Sequence, residues 1–165
     1  MSVANQILDK AFVHAFLKES NLIEGVTDDD SLVQAWKAWD YLMKEDVLTK
    51  DVVLHTHKIL MAHQKIRADQ KGHFRKLNVT VGGYEAPDWK EVPNRMWAWT
   101  LEAMRRSPPI DDKQLHIEYE KIHPFVDGNG RTGRMFMNWM RIKRLNKPLL
   151  IILDSEKDSY YSWFR

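Results

Sequence analysis

A chain of 165 residues is long enough for one domain with a sizeable core, and 44% hydrophobic with 29% charged residues is the balance of a soluble globular protein. A formal net charge of +2 is too small to point to nucleic acid, and the basic clusters Lys71 to Lys76, Arg105-Arg106 and Arg141 to Lys147 read as solvated faces. The absence of cysteine excludes disulfides and thiolate zinc sites and fits a reducing cytoplasm. No basic region followed by an apolar run opens the chain. The longest apolar run, Leu149 to Leu153, is far too short for a bilayer, so neither a secretory signal nor a membrane partner is expected.

Ile7, Leu8, Ala11, Phe12, Ala15 and Phe16 recur at helical spacing and predict an amphipathic helix over 3–19. Ser20-Asn-Leu-Ile-Glu-Gly25 reads as a helix end, with Gly25 as a left-handed cap. On that reading Glu24 is a solvated charge near a helix terminus. Leu32, Ala35, Trp36, Trp39, Leu42 and Met43 predict a second helix over 31–45. Thr49 is a plausible N-cap for a third over about 50–63, containing Val52, Val53, His57, Leu60 and Met61. His55, His57 and His63 have no further ligand at a useful spacing, so a metal site there is not expected.

Lys71-Gly-His-Phe-Arg75 is a loop. Leu77 to Val81 and Tyr84 to Ala86 then flank Gly82-Gly83, a strong hairpin signal that Pro87 ends. In an otherwise helical chain a lone hairpin gains little from sheet burial and reads as a device. Pro93 opens a helix containing Trp97, Leu101 and Met104 that ends before Pro108-Pro109. Asp111 opens the next, through Leu115, Tyr119 and Ile122, into His123. Residues 148–165 read as an extended segment and a short final helix with Ser155 as candidate cap.

The chemistry concentrates in His123-Pro-Phe-Val-Asp-Gly-Asn-Gly-Arg-Thr-Gly-Arg134. Gly128-Asn129-Gly130 permits a tight turn into a helix, which leaves backbone N–H groups facing outward at the positive end of a dipole. Arg131 and Arg134 add forked charge suited to phosphate oxygens. Asp127 suits Mg²⁺, which takes one or two carboxylates and completes its shell with phosphates and water. His123 takes a proton near neutral pH. The following helix, to about Leu145, is apolar nearly all round, except that Arg131, Arg134, Asn138 and Arg141 form one narrow polar stripe. Together these residues read as phosphate chemistry on a nucleotide.

This stretch resembles the Fic signature H-P-F-x-(D/E)-G-N-G-R-x-x-R and fills every defined position. The resemblance implies a mainly α fold, a compact helical bundle with a small β-hairpin flap over the active site, forming one domain over 1–165. It implies a protein adenylyltransferase that moves AMP from ATP to a hydroxyl of a target protein, with Mg²⁺. His123 is then the general base and Phe125 a packing anchor. Asp127 holds the metal. Gly128, Asn129 and Gly130 form the nest, with the Asn129 side chain donating to a phosphate. Arg131 takes the β-phosphate, Arg134 the γ-phosphate, and Asn138 lies near the adenine. Lys71-Gly-His-Phe-Arg75 resembles the element that precedes the flap. Val79, Thr80, Val81, Gly82, Gly83 and Tyr84 would form the flap, at about 77–87, and pair with an extended stretch of the target.

Ser20-x-x-x-Glu24-Gly25 is similar to the family's inhibitory motif (S/T)-x-x-x-E-(G/N), in an N-terminal segment at about 18–27. The similarity implies that Glu24 pairs with Arg134 and misaligns ATP. Three readings compete with transfer of AMP: removal of AMP with Glu24 positioning water, a different nucleotide or phosphate donor, and a silent interaction domain. The intact signature speaks against the last. Relatives often dimerise, so a homodimer joins ATP and the target protein among the expected partners.

Overall fold

The computed structural model describes residues 9–165. Seven helices and one hairpin make up its main elements. They are α1 (Lys10–Ile23), α2 (Asp29–Met43), α3 (Lys50–Leu60), β1 (Thr80–Val81), β2 (Tyr84–Glu85), α4 (Val92–Met104), α5 (Asp112–Ile122), α6 (Asn129–Lys143) and α7 (Lys157–Tyr161). The mainly helical expectation with one small hairpin holds. Ile7, Leu8 and the rest of the stretch before Asp9 lie outside the described residues.

Local chemistry explains the helix starts. Asp28, Thr49 and Asp111 each accept a hydrogen bond from the backbone N–H three residues on, and so cap α2, α3 and α5. α1 ends as the sequence suggests. Gly25 has φ +70°, Gly25 N–H donates to Leu22 C=O, and Val26 N–H donates to Asn21 C=O. The helix runs further than 19, however, so Ser20 and Asn21 lie inside it, buried.

α6 is the axis of the fold. Every residue from Arg131 to Met140 is buried. α5 packs along it, α4 packs on α5, and α1, α2 and α3 close the other side. Trp139, Phe136, Tyr119, Phe125, Trp99, Leu17, Leu42 and Leu60 belong to the main core. A second, smaller core joins Ile23 at the end of α1 to Met137, Ile152 and Tyr160. No helix among the described residues is long and apolar enough to cross a membrane.

Four expectations need correction. α4 turns the other way: Val92, Met96, Trp99 and Ala103 are buried, while Trp97 and Leu101 are 62% and 52% exposed. Both faces carry apolar residues at helical spacing, and the choice falls to Trp99, whose indole N–H donates to Leu115 C=O at 2.9 Å. The hairpin ladder is shorter than 77–86. Gly82 and Gly83 both have positive φ, as the turn requires, but Leu77 and Asn78 are drawn elsewhere. Leu77 C=O accepts from Arg75, and Asn78 Oδ1 accepts from Trp89 N–H. α3 stops at Leu60, three residues early. Ser155 sits inside a 3-10 turn, Asp154–Glu156, and does not cap α7.

Arg75 ties the flap to the core. Its guanidinium is 2% exposed and donates to the carbonyls of His123 (2.7 Å), Leu77 (2.8 Å), Pro87 (2.7 Å) and Ile122 (3.2 Å). Its own N–H donates to Pro124 C=O at 2.9 Å. Both ends of the flap are thus fastened to the end of α5. Removing the guanidinium would strand these carbonyls in a dry site. Arg75→Met should therefore cost about 3 kcal/mol in urea unfolding, and Arg75→Lys should recover only part of it, because one ammonium cannot span four acceptors. An unchanged unfolding midpoint in Arg75→Met would contradict this role.

Candidate active site

The site forms where α5 turns into α6. His123 ends α5 in the left-handed region, φ 50° and ψ 63°, an uncommon place for a residue other than glycine. Its carbonyl is gripped by Arg75 at 2.7 Å. Its imidazole is half-buried, with Nδ1 unpartnered. Burial, helped by the charge of Arg75, lowers its pKa from 6.5, so the ring is neutral and ready to take a proton.

The loop that follows is braced from inside. The Asn129 amide accepts from Phe125 N–H and donates to Phe125 C=O, both at 2.8 Å. Phe125 is fully buried and stacks on His57, with centroids 3.7 Å apart and planes 5° apart. His57 Nδ1 accepts from Gly72 N–H at 2.9 Å, so Nε2 carries the proton and donates to Asp127 C=O, also at 2.9 Å. Burial pushes the His57 pKa down to about 4, which keeps it neutral in this role. Gly128 has φ +81°, and a Cβ there would come within 2.6 Å of Met61 Sδ. Only glycine suits both the turn and the gap.

α6 therefore begins with no side-chain cap, unlike α1, α2, α3 and α5. Its first N–H groups border a cavity of about 560 Å³. Its lining includes polar and charged residues, His123, Asp127, Arg131, Arg134 and Glu24, and aromatic ones, Tyr160, Tyr161 and Phe164. Arg131 is 2% exposed, yet its Nε and Nη1 have no hydrogen-bond partner. Its nearest carboxylate oxygen, on Asp127, is 4.0 Å from Nη2. A buried guanidinium left this open is costly unless a ligand completes it.

Arg134 is the opposite case. Its Nη2 donates to Glu24 Oε1 at 2.7 Å and to Ser20 C=O at 2.9 Å. Nε donates to Ser20 Oγ at 2.9 Å and Nη1 to Tyr160 Oη at 3.0 Å. Glu24 lies against the turn itself, since a Cβ on Gly130 would collide with its Oε1. Glu24 is thus no solvated terminal charge.

Asp127 presents a half-exposed carboxylate at the cavity. Oδ1 accepts from Gly128 N–H at 2.7 Å, and Oδ2 makes no hydrogen bond. Among the described residues no cluster of three metal-ligating side chains exists. One carboxylate beside an anion nest fits a magnesium ion that takes its other ligands from phosphates and water.

The amides of two expected ligands are engaged elsewhere. Asn138 is fully buried, and its amide binds Leu150 through both C=O (3.0 Å) and N–H (2.8 Å). Asn129 lines the cavity, but its side-chain amide is engaged on both sides by the Phe125 backbone. The polar stripe of α6 accordingly divides. Arg131 and Arg134 face the cavity, whereas Asn138 and Arg141 hold the segment at 148–150 and Asp112. Of the flap, Val81, Gly82 and Tyr84 line the cavity, and Val79, Thr80 and Gly83 do not.

Residues that sequence reasoning missed are His57, the cage role of Arg75, Tyr160 and Glu120. Glu120 lines the cavity with a buried, unpartnered Oε1, and burial raises its pKa to about 7 against the pull of Arg134. The spacing of Glu120 three residues before His123 was a signal for it. Nothing in the sequence singles out Tyr160.

Similarity to known proteins agrees with this geometry. A protein adenylyltransferase Fic of Aedes aegypti is 31% identical over 127 residues, covering 74% of this chain and 25% of the relative. Its counterpart in Drosophila melanogaster is 33% identical over 129 residues, covering 75% and 25%. The chain thus spans about a quarter of the length of these relatives. In fold it resembles a Fic-domain-containing signalling protein of Bacteroides thetaiotaomicron, with TM-score 0.76, 20% identity and coverage of 92% of this chain and 70% of the other. Fic-1 of C. elegans, residues 134–508, gives TM-score 0.79 at 18% identity, covering 93% and 54%. The model of the Fic/DOC family matches residues 47–140, more than half of the chain, and the chain belongs to the Fic/DOC family.

Proposed function

We propose that this chain is a magnesium-dependent protein adenylyltransferase, which moves AMP from ATP to a hydroxyl of a target protein and is held off by its own Glu24. The observation that carries the reading is Arg131, a buried guanidinium with two unpartnered nitrogens, beside an uncapped helix start and a neutral imidazole. Relatives named protein adenylyltransferase point the same way.

His123 accepts the proton of the target hydroxyl as its oxygen attacks the α-phosphorus. The bond between the α-phosphorus and the bridging oxygen breaks, and pyrophosphate leaves. Arg131 and the N–H groups at the start of α6 stabilise the β-phosphate as charge builds there. Asp127 would hold Mg²⁺, which supplies further neutralisation of the leaving pyrophosphate. Tyr161 and Phe164 offer apolar surface for a base. Val81, Gly82 and Tyr84 present the target chain, whose backbone pairs with the flap edge without demanding a motif. The reading takes 1–165 as one Fic domain acting in the cytoplasm, which the cysteine-free composition fits, and includes a second copy of the chain among its partners.

Glu24 acts as the brake in this reading because it occupies Arg134, the group assigned to the γ-phosphate. The Glu24 side chain is 33% exposed and that of Arg134 is 1% exposed, so Glu24 is the partner able to leave. While it stays, its charge repels the triphosphate and tilts the α-phosphate from attack, an error worth on the order of a hundredfold in rate.

Label transfer from α-³²P-ATP with Mg²⁺ tests this. Glu24→Gly should label itself or lysate proteins about a hundredfold more than the parent chain. Adding His123→Ala should abolish labelling and leave ATP binding intact. No labelling in Glu24→Gly despite ATP binding would overturn adenylyl transfer and favour AMP removal or another donor.

The pH profile has a defined sign. A base works unprotonated, and the His123 pKa lies below 6.5. Transfer by Glu24→Gly should therefore show an acid limb centred below pH 6.5. A single-turnover profile with its acid limb centred above 6.5 would refute the assignment.

Arg131→Met should separate function from stability. It removes a buried charge with two unpartnered nitrogens and only a long ion pair to Asp127, so the unfolding temperature should rise by about 2–4 °C, while ATP affinity falls at least about tenfold. A fall in both would mean that Arg131 serves the fold.

A further inference from the structure

Arg134 has more partners than a brake requires. Glu24 supplies one acceptor. Ser20 supplies two, its Oγ and its carbonyl, and Tyr160 supplies a fourth at 3.0 Å. Three of these four contacts do not involve Glu24.

The hydrogen count sets the direction of the chain behind Tyr160. A guanidinium nitrogen only donates, so Tyr160 Oη accepts from Arg134. The Tyr160 proton then goes to His116 Nε2, 2.7 Å away. His116 is therefore a neutral imidazole with Nε2 as acceptor. Its setting agrees: it is 1% exposed, and burial with the nearby charge of Arg134 pushes its pKa down to about 3. Tyr160 cannot swing aside. Its ring packs on His116 at 5.7 Å and on Phe164 and Trp163 at 5.2 Å each, and the Arg134 guanidinium lies 5.4 Å from its centroid.

We infer that Tyr160, held by His116, is a positioning residue for Arg134: its hydroxyl keeps the guanidinium aimed into the cavity after Glu24 has left. The inference rests on the proposed assignment of Arg134 to the γ-phosphate. A triphosphate then meets a cation already in place and loses little binding energy to ordering it. Ser20 acts in the same way from α1. The helix that carries the brake thus also supports the group that the brake blocks, and only the Glu24 carboxylate opposes the ligand.

The test separates the γ-phosphate from the rest of the nucleotide. ATP and ADP, each with Mg²⁺, are titrated by calorimetry into Glu24→Gly and into Glu24→Gly with Tyr160→Phe. Phenylalanine keeps the ring and its packing and removes only the hydroxyl. The expected result is an ATP affinity about tenfold weaker in the double variant, the loss of one charge-assisted hydrogen bond, with ADP affinity unchanged within about twofold. A parallel loss for both nucleotides would make Tyr160 a general wall of the pocket and overturn the inference. No loss for either would overturn it as well. If Glu24→Gly binds ATP no more tightly than ADP, the γ-phosphate assignment of Arg134 falls first and takes the inference with it, which distinguishes the two failures.

Discussion

The cage of carbonyls around Arg75 is the constraint on which the site depends. A guanidinium buried without a carboxylate would be costly in a dry core. Here four carbonyls accept from it, and they belong to the two ends of the flap and the last residues of α5. One side chain therefore sets the distance between the flap and His123. Charge delocalised over a planar fork makes this arrangement available to arginine and not to lysine. The left-handed backbone of His123 persists because its carbonyl is held on one side and Phe125 is locked by Asn129 and His57 on the other.

The two arginines of the signature, one turn apart on α6, differ in kind. Arg131 is left open on two nitrogens, whereas Arg134 uses all three. An open buried cation stores a tendency to bind an anion, whereas Arg134 already has a carboxylate partner in Glu24. The site thus combines an open guanidinium with a paired one. The end of α1 that carries Glu24 is held beside it by the small core of Ile23, Met137, Ile152 and Tyr160, which joins α1 to the C-terminal aromatic segment. The Tyr161 hydroxyl near Ile23 C=O adds to that joint.

Polar residues on a buried helix carry two different meanings. Asn138 and Arg141 follow Arg131 and Arg134 at helical spacing and look equivalent to them in sequence. Their partners differ because α6 runs out of the cavity within two turns and meets the irregular segment at 148–152. That segment has backbone groups to satisfy, and Asn138 satisfies those of Leu150. The α4 face shows the same limit. Periodicity marks an apolar face, but with Trp97 and Leu101 opposed to Met96, Trp99 and Ala103, only docking onto α5 decides which face is inside.

The sequence by itself determined the order of the main helices, the caps at Thr49 and Asp111, the Gly-Gly turn and the signature, because each depends on residues close together in the chain. A capping aspartate, a glycine at positive φ and an arginine at fixed offset act over a single turn. Tertiary structure decided the rest: the face of α4, the division of the α6 stripe, the neutral state of His57 and His116, the cage of Arg75 and the place of Tyr160 beside Arg134. Each of these depends on desolvation and on partners far away in sequence. Glu24 stands between the two. Its motif was legible, but its contact with Arg134 exists only because α1 packs against α6, and burial there turns a surface carboxylate into the partner of a buried cation.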